Sequence, residues 1–196
     1  MRRNHERRRA LSDAAIEVLA REGARGLTFR AVDSEASVPT GTASNYFANR
    51  DELFMQIGAR VYDRMLSGVP ATAVGRQEGG MDRFVELMQE LVVRVSSFPS
   101  GHLALIELRL EAIRRPALGE VLSERIRKDI DTNVANHVAS GLPGDETSVL
   151  LLYLSLNWLI LERLTLPHLL DEAEVQRLIE AAVSRALQVP QISSHG

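Results

Sequence analysis

Residues 28–53 read TFRAVDSEASVPTGTASNYFANRDEL, and this stretch decides the fold. Phe29, Val32 and Ala36 have the i, i+3, i+7 spacing of a helix that buries one narrow face. A second, short helix is predicted to begin at Pro39, because proline suits the first turn of a helix. The pattern is therefore helix, tight turn, helix.

The predicted second helix has an unusual composition. Its residues are poor helix formers but good hydrogen-bonding groups, so helix propensity is given up for a small, polar, nearly uncharged surface. Such a surface fits the major groove of DNA. The residues concerned are Thr40, Gly41, Thr42, Ser44 and Asn45. By periodicity alone, a plain loop joining two core helices is an equal alternative, because loops also favour Thr, Ser and Asn.

A third helix is predicted from Arg50, because Asn49 and Glu52 have the spacing of an N-cap and its reciprocal acidic partner. The three elements together match a helix-turn-helix. In that motif the first helix crosses the DNA backbone and the second presents its N-terminal residues to the base edges.

Residues 10–55 resemble the DNA-binding domain of the TetR family of bacterial repressors. The match runs in order and without gaps as Ala36-x-Val38-x-x-Gly41-Thr42-x-x-x-Tyr46-Phe47-x-x-Arg50-Asp51-x-Leu53. This resemblance decides between the helix-turn-helix and the plain loop, in favour of the former.

Three positions depart from the family pattern. Ser37 stands where the family usually has the turn glycine, so a residue with a Cβ is expected in a left-handed conformation, at a cost of roughly 1 kcal/mol. Ala43 and Ser44 replace the usual Leu-Tyr pair, and Asn45 replaces His or Tyr. The base preference of relatives therefore does not carry over to this chain.

Roles for the predicted DNA-binding residues follow from the motif and from side-chain chemistry. Base edges are assigned to Thr42, Ser44 and Asn45, since Asn can pair bidentately with adenine and Ser or Thr can serve either base. Thr40 and Gly41 are expected at the closest backbone approach. Phosphate contacts, which position the protein without specifying sequence, are assigned to Thr28, Arg30, Tyr46 and Arg50.

The composition is that of a globular protein with one basic end. The chain has 196 residues, of which 45% are hydrophobic and 25% charged. Residues 1–50 hold nine arginines against six acids, whereas the remainder holds 14 basic against 20 acidic residues, an asymmetry expected when one end meets phosphate. The absence of cysteine excludes disulfides, thiolate metal sites and cysteine nucleophiles.

The rest of the chain reads as helix. Arg2–Arg9 is interpreted either as a disordered charge run or as an arm that orders on DNA, and the first helix is expected from Ala10 to Gly23. The helix from Arg50 is expected to run past Met65, and 68–80 is expected to be a loop. Later helices are predicted over 84–95, 103–113, 117–138, 147–166 and 171–187, with a break at Pro99, Ser100 and Gly101.

The expected fold class is all-α, with an N-terminal three-helix DNA-binding domain containing the helix-turn-helix (1–50) and a C-terminal helical ligand-binding and dimerisation domain (51–196). The helix at 147–166 is apolar nearly all round, which demands cover on every side. Its fifteen uncharged residues, 147–161, fall short of the roughly 20 that span a membrane, so a buried helix is favoured. A homodimer through the last two helices would supply the cover, and the resemblance implies the same dimer.

Relatives in this family usually bind a small effector among the C-terminal helices. Candidates are polar groups in apolar surroundings and their apolar neighbours, which would suit a small, mainly hydrophobic molecule. They are Phe84, Met88, His102, Arg109, His137, Tyr153, Asn157 and Trp158. The alternative for each is an ordinary core role, and Asn157 and Trp158 fit a dimer seam equally well.

No enzyme class is indicated. The sequence has no glycine-rich phosphate loop, no metal-ligand spacing among its histidines and no suggestive Ser/His/Asp order, so we expect no catalysis and no metal or cofactor. The arginine-rich start lacks the apolar segment of a signal peptide, which favours a cytoplasmic protein. The alternative function is an all-helical adaptor that binds other proteins and has no specific affinity for DNA.

Overall fold

The computed structural model describes residues 2–66 and 80–187. Regular structure in these two ranges is α-helical throughout, as expected from the sequence. The helices are α1 Arg2–Gly26, α2 Phe29–Glu35, α3 Thr42–Tyr46, α4 Arg50–Leu66, α5 Gly80–Ser96, α6 Pro99–Ala112, α7 Pro116–Ser140, α8 Glu146–Thr165 and α9 Glu172–Leu187. The predicted loop at 68–80 lies outside the described residues, except for Gly80, where α5 begins.

The first helix starts earlier than the sequence pattern suggested. It begins at Arg2 rather than Ala10, so the interpretation of Arg2–Arg9 as a disordered run is wrong. Arginine is a good helix former, and neither proline nor glycine occurs before Gly23 to interrupt the helix. Gly23 has φ 66° and ψ −177°, so it breaks the helical geometry as predicted, but α1 resumes and ends at Gly26.

Of the two predictions for the turn between α2 and α3, one is confirmed and the other is wrong. Ser37 has φ 51°, the left-handed conformation expected where the family has glycine. The short helix begins at Thr42 rather than Pro39, because Gly41, with φ 91°, is incompatible with helical geometry. Residues 39–41 form a turn instead, in which the Thr42 N–H donates to the Pro39 carbonyl at 3.1 Å.

The predicted N-cap of α4 is confirmed, and α9 begins with a cap of the same kind. At α4 the Glu52 N–H donates to Asn49 Oδ1 at 2.8 Å, although the Glu52 carboxylate reaches back to Ala48 rather than to Asn49. At α9 the N–H groups of Asp171 and Glu174 each donate to the carboxylate of the other residue, at 2.9 and 2.8 Å, which forms a fully reciprocal capping box.

The predicted break at residues 99–101 is wrong. Pro99 opens α6, and the interruption lies at Ser97 and Phe98, because proline is compatible with the first helical turn but not with the end of the preceding helix.

The chain forms two compact units. The first contains residues 1–68 and 98–127 and so joins α4, α6 and the start of α7 to the first three helices. Its core is formed by α1, α2, α3, α4, α6 and the start of α7, with Phe47, Phe54 and Leu108 among the fully buried side chains. Arg60 of α4 binds Asp13 of α1 bidentately at 2.8 and 2.9 Å. The predicted boundary at residue 50 between a DNA-binding domain and a ligand-binding domain remains a prediction, because a division into compact units does not test function.

The second unit contains residues 69–97 and 128–196. Its core is formed by α5, α8 and α9, which pack against one another through residues such as Phe84, Leu156 and Ile179. The helix α8 is buried on one side only, because Leu154 and Trp158 are 62% and 63% exposed in the single chain. Among the described helices, α8 also meets the length and hydropathy of a membrane span, with 33% of the apolar window buried.

Candidate nucleic-acid interface

The N-terminus of α3 is held by a buried acid of α2. Asp33 is 2% exposed, and its two carboxylate oxygens accept hydrogen bonds from the N–H groups of Gly41 at 2.7 Å and Ala43 at 2.6 Å. These N–H groups have no partner within so short a helix, so the carboxylate satisfies them. Asp33 therefore fixes the angle and register of α3 relative to α2.

The predicted base-reading residues lie together on α3. Asn45 and Ser44 are exposed, and Thr42 is half-buried. The Ser44 hydroxyl donates to the Gly41 carbonyl at 2.9 Å and the Thr42 hydroxyl to the Pro39 carbonyl at 2.5 Å, so both are engaged within the helix-turn-helix itself. Because Ser44 and Thr42 are engaged in this way, the exposed Asn45 amide is the member of this group best placed to reach a base.

The residues predicted to contact phosphates lie at the start of α2, at the end of α3 and at the start of α4. Thr28 is the N-cap of α2, because its hydroxyl oxygen accepts a hydrogen bond from the Ala31 N–H at 3.1 Å. Arg30 is exposed, whereas Tyr46 is half-buried against the core of the first unit. Thr40, expected at the closest backbone approach, is exposed too. Arg50 is also exposed, although its guanidinium donates to the Ala24 carbonyl and lies 5.3 Å from the centre of the Phe54 ring.

The first turns of α1 lie beside this surface, although the sequence predicted a helix only from Ala10. Arg8 forms an ion pair with Glu52, and its guanidinium lies 5.1 Å from the centre of the Phe47 ring. The Ala48 N–H and Arg8 together hold the pKa of the Glu52 carboxyl below its ordinary value. Asn4 and His5 share a small cleft with Asn45 and Tyr46.

A second connection joins α6 to the kink in α1. The Ala24 N–H, just after the Gly23 break, donates to Glu107 of α6 at 3.0 Å, while the Ala24 carbonyl accepts from Arg50 at the start of α4. One residue thus links α1, α4 and α6 within the first unit.

The candidate effector residues are divided between the two compact units. His102 and Arg109 lie on α6 in the first unit, where burial lowers the pKa of the His102 imidazole and the charge of Arg109 lowers it further. The others lie in the second unit: Phe84, Met88, His137, Tyr153, Asn157 and Trp158.

Two of the effector candidates in the second unit touch. The rings of Phe84 and His137 meet edge to face, with centres 6.1 Å apart. The Nε2 of buried His137 lies 3.1 Å from the Pro143 carbonyl, so this nitrogen carries the proton and donates. Its Nδ1 is then an acceptor without a hydrogen-bond partner in the described part of the chain. By contrast, the Asn157 amide bonds to the Tyr153 carbonyl of its own helix, and Trp158 lies on the exposed face of α8.

An open apolar groove of about 830 Å³ runs along α8 and α9. Its walls include the exposed Leu151, Leu154 and Trp158 of α8 and Leu178 of α9. Ala182 and Ala186 of α9 also line it.

Two family models match the sequence and together span most of the chain. The model described as "Bacterial regulatory proteins, tetR family" matches residues 11–57, and that described as "Tetracyclin repressor-like, C-terminal domain" matches residues 79–189. A curated relative is the nicotine-responsive transcriptional repressor HdnoR of Paenarthrobacter nicotinovorans, 27% identical over 132 residues. The alignment covers 66% of each chain, just under two thirds of that repressor.

Solved structures of similar fold cover nearly the whole chain. A TetR-family transcriptional regulator of Mesorhizobium loti superposes with a TM-score of 0.77 at 18% identity, covering 94% of this chain and 96% of that one. The multidrug binding protein EbrR, in complex with ethidium, superposes with a TM-score of 0.65 at 26% identity, covering 93% and 99%.

Proposed function

Because the chain belongs to the TetR family of bacterial transcriptional regulators, it is a DNA-binding regulator, and we propose that it represses transcription by binding a palindromic operator as a homodimer. A small, mainly hydrophobic effector releases it from the operator. The protein acts in the cytoplasm, where its DNA is. The observation that carries the proposal is the exposed face of α3, held at its N-terminus by Asp33.

Operator reading depends on α3 entering the major groove. Asn45 supplies an exposed amide that can bond bidentately to adenine, and Thr42 and Ser44 flank it. Thr28 and Arg50 contact phosphates on either side, since one caps the start of α2 and the other opens α4. Catalysis has no part in this function.

The dimer forms through α8 and α9. These helices expose Leu151, Leu154, Trp158 and Leu178 in a single chain, a larger apolar surface than isolated exposed residues account for. Packing against the same helices of a second copy would form a four-helix bundle and bury this surface. A two-fold axis would then place two α3 helices about 34 Å apart, the spacing of successive major grooves.

The effector is proposed to bind in the second unit near Phe84 and His137. The unpartnered Nδ1 of His137 offers an acceptor within apolar surroundings, which fits a hydrophobic molecule carrying one hydrogen-bond donor. By their printed names HdnoR is nicotine-responsive and EbrR is a multidrug binding protein in complex with ethidium, and both molecules are small and aromatic. Binding favours the conformation with lower DNA affinity and so shifts the population away from the operator.

The first test separates base reading from phosphate contact. Asn45→Ala is expected to lower the ratio of specific to random DNA affinity about tenfold, because an amide-base pair contributes roughly 1–3 kcal/mol of discrimination. Arg50→Ala should weaken both kinds of site and reduce the slope of log affinity against log salt by about 1 per subunit. Fluorescence anisotropy with a selected operator and a scrambled duplex, at several salt concentrations, measures both quantities.

The two variants control for each other, since one removes an amide and the other a charge at the same surface. If Asn45→Ala weakens every sequence equally, Asn45 does not read bases. If the unaltered chain binds no duplex even at low salt, the protein is an adaptor of other proteins rather than a regulator of this kind.

The effector site is tested by thermal unfolding without DNA. A panel of small apolar amines that includes nicotine should contain a ligand that raises the melting temperature and lowers operator affinity, with DNA lowering ligand affinity by the same factor. His137→Phe should weaken that ligand about tenfold, the effect of losing one hydrogen bond of about 1.4 kcal/mol. The exposed His168, changed to Phe, is the control. Equal ligand affinity in both variants would remove His137 from the site.

A further inference from the structure

We propose that the first turns of α1, Asn4–Arg9, form a second DNA-binding surface that lies against α3 and contacts the phosphates beside each half-site. This inference rests on the proposed function, because its partner is the same operator duplex. The segment precedes residue 11, where the family match begins, so the family resemblance does not supply it.

The segment is anchored to the recognition unit by Arg8. Its guanidinium pairs with the Glu52 carboxylate and lies 5.1 Å from the centre of the Phe47 ring. Phe47 directly follows α3, and Glu52 lies in the first turn of α4. The Ala48 N–H donates to the other Glu52 oxygen at 2.7 Å. These contacts connect the Arg8 anchor to the end of α3 and to the start of α4. The position of Asn4–Arg9 relative to α3 is therefore set before DNA arrives.

This anchor brings two polar side chains next to the predicted base-reading and phosphate-binding residues. Asn4 and His5 line a cleft of about 200 Å³ together with Asn45 and Tyr46. Both are exposed, and an amide or imidazole N–H can donate to a phosphate oxygen. A duplex that receives Asn45 in its major groove must consequently pass close to Asn4 and His5.

The charge of the segment favours phosphate. Arg7, Arg8 and Arg9 outnumber Glu6, and Arg7 and Arg9 are exposed. Because Glu52 neutralises Arg8, that arginine serves as the anchor, and the other two supply the net positive charge. Cations that do not read bases add affinity to all sequences and steepen its salt dependence.

The experiment compares the unaltered chain with the triple variant Asn4→Ala/His5→Ala/Arg7→Ala, which leaves the Arg8 anchor in place. The charge-matched control is Arg127→Ala, an exposed arginine on α7. The probe is a duplex recovered by the unaltered chain from a random-sequence pool. Hydroxyl-radical footprinting reports which stretches of the sugar-phosphate backbone are covered, anisotropy across a salt series reports the slope, and urea unfolding checks the fold.

The triple variant should keep the central protection of each half-site and lose protection at one edge. Its salt slope should fall by about 1 per subunit, because one cation is removed, with an affinity loss of about tenfold, while Arg127→Ala keeps the full footprint. An unchanged footprint and slope in the triple variant would overturn this inference and leave the proposed function intact. Absence of any footprint with the unaltered chain would overturn both.

Discussion

Asp33→Ala is expected to weaken operator binding by more than about 30-fold, the equivalent of about 2 kcal/mol. The direction is informative, because the substitution removes a negative charge from the end of the molecule that meets phosphate. On charge alone, DNA binding should become tighter. A weakened affinity therefore identifies the structural role of the carboxylate.

The physical reason lies at the start of α3. Asp33 is 2% exposed and accepts two backbone hydrogen bonds, from Gly41 and Ala43. Alanine would leave both N–H groups without this acceptor, at a cost of roughly 1–3 kcal/mol for each buried group. We expect the free energy of unfolding to fall by about 2–4 kcal/mol and α3 to lose its fixed orientation, so that Asn45 no longer meets its base in one geometry.

Two further variants sharpen this result. Glu35→Ala removes an equal charge from the same helix, but Glu35 pairs with Arg21 near the surface, where ion pairs contribute about 0–1 kcal/mol, so operator affinity should be unchanged or higher. Asp33→Asn retains one carbonyl acceptor, so its operator affinity should lie between those of Asp33→Ala and Glu35→Ala. Urea unfolding gives the stability of each variant, and anisotropy is measured under conditions in which each variant is folded. Unaltered DNA affinity in Asp33→Ala would show that Asp33 does not position α3.

Local signals in the sequence predicted much of this fold. The N-cap at Asn49 depends on neighbours within a few residues, so spacing and residue type are sufficient to find it, whereas the left-handed turn at Ser37 was expected from the family pattern. The family resemblance was needed to distinguish a helix-turn-helix from a loop, since α3 has only five residues and too little periodicity of its own.

The contacts that hold the site together were harder to predict, because their partners are distant in sequence. Arg8 and Glu52 are 44 residues apart, and Ala24 and Glu107 are 83 apart. Asp33 did leave a signal. It follows Phe29 by four residues and so falls on the apolar face of α2, where an acid requires a buried partner.

The errors in helix boundaries have a related cause. The arginines before Ala10 carry no hydrophobic period, so periodicity could not predict that α1 begins at Arg2. The contacts of Arg8 with Phe47 and Glu52 join residues that are distant in sequence. Proline was interpreted as the first residue of a helix at 39 and as part of a break at 99, and both interpretations were wrong, because only Pro99 begins a helix. After Pro39, the left-handed Gly41 delays the helix to Thr42.

Trp158→Glu combined with Leu154→Glu is expected to convert the dimer to a monomer and to abolish operator binding at nanomolar protein concentrations. Both side chains are more than 60% exposed in the single chain, so charged replacements should leave the fold of the subunit intact. In the proposed four-helix bundle the same positions are buried, and each unpaired charge there costs several kcal/mol. The two-fold axis repeats every charge, so the dissociation constant of the dimer should rise by more than about 1,000-fold.

Ile113→Glu is the matched control, because Ile113 is an apolar residue 81% exposed just after α6 rather than on α8 or α9. It should sediment as the unaltered dimer in analytical ultracentrifugation. The glutamate pair on α8 should sediment as a monomer with an unchanged helical circular dichroism spectrum. Its affinity for a full palindrome should fall to that for a half-site, because only one α3 can then engage the duplex. A dimer that persists in the glutamate pair would show that subunits associate elsewhere, and the two recognition helices would then need a different geometry to reach successive grooves.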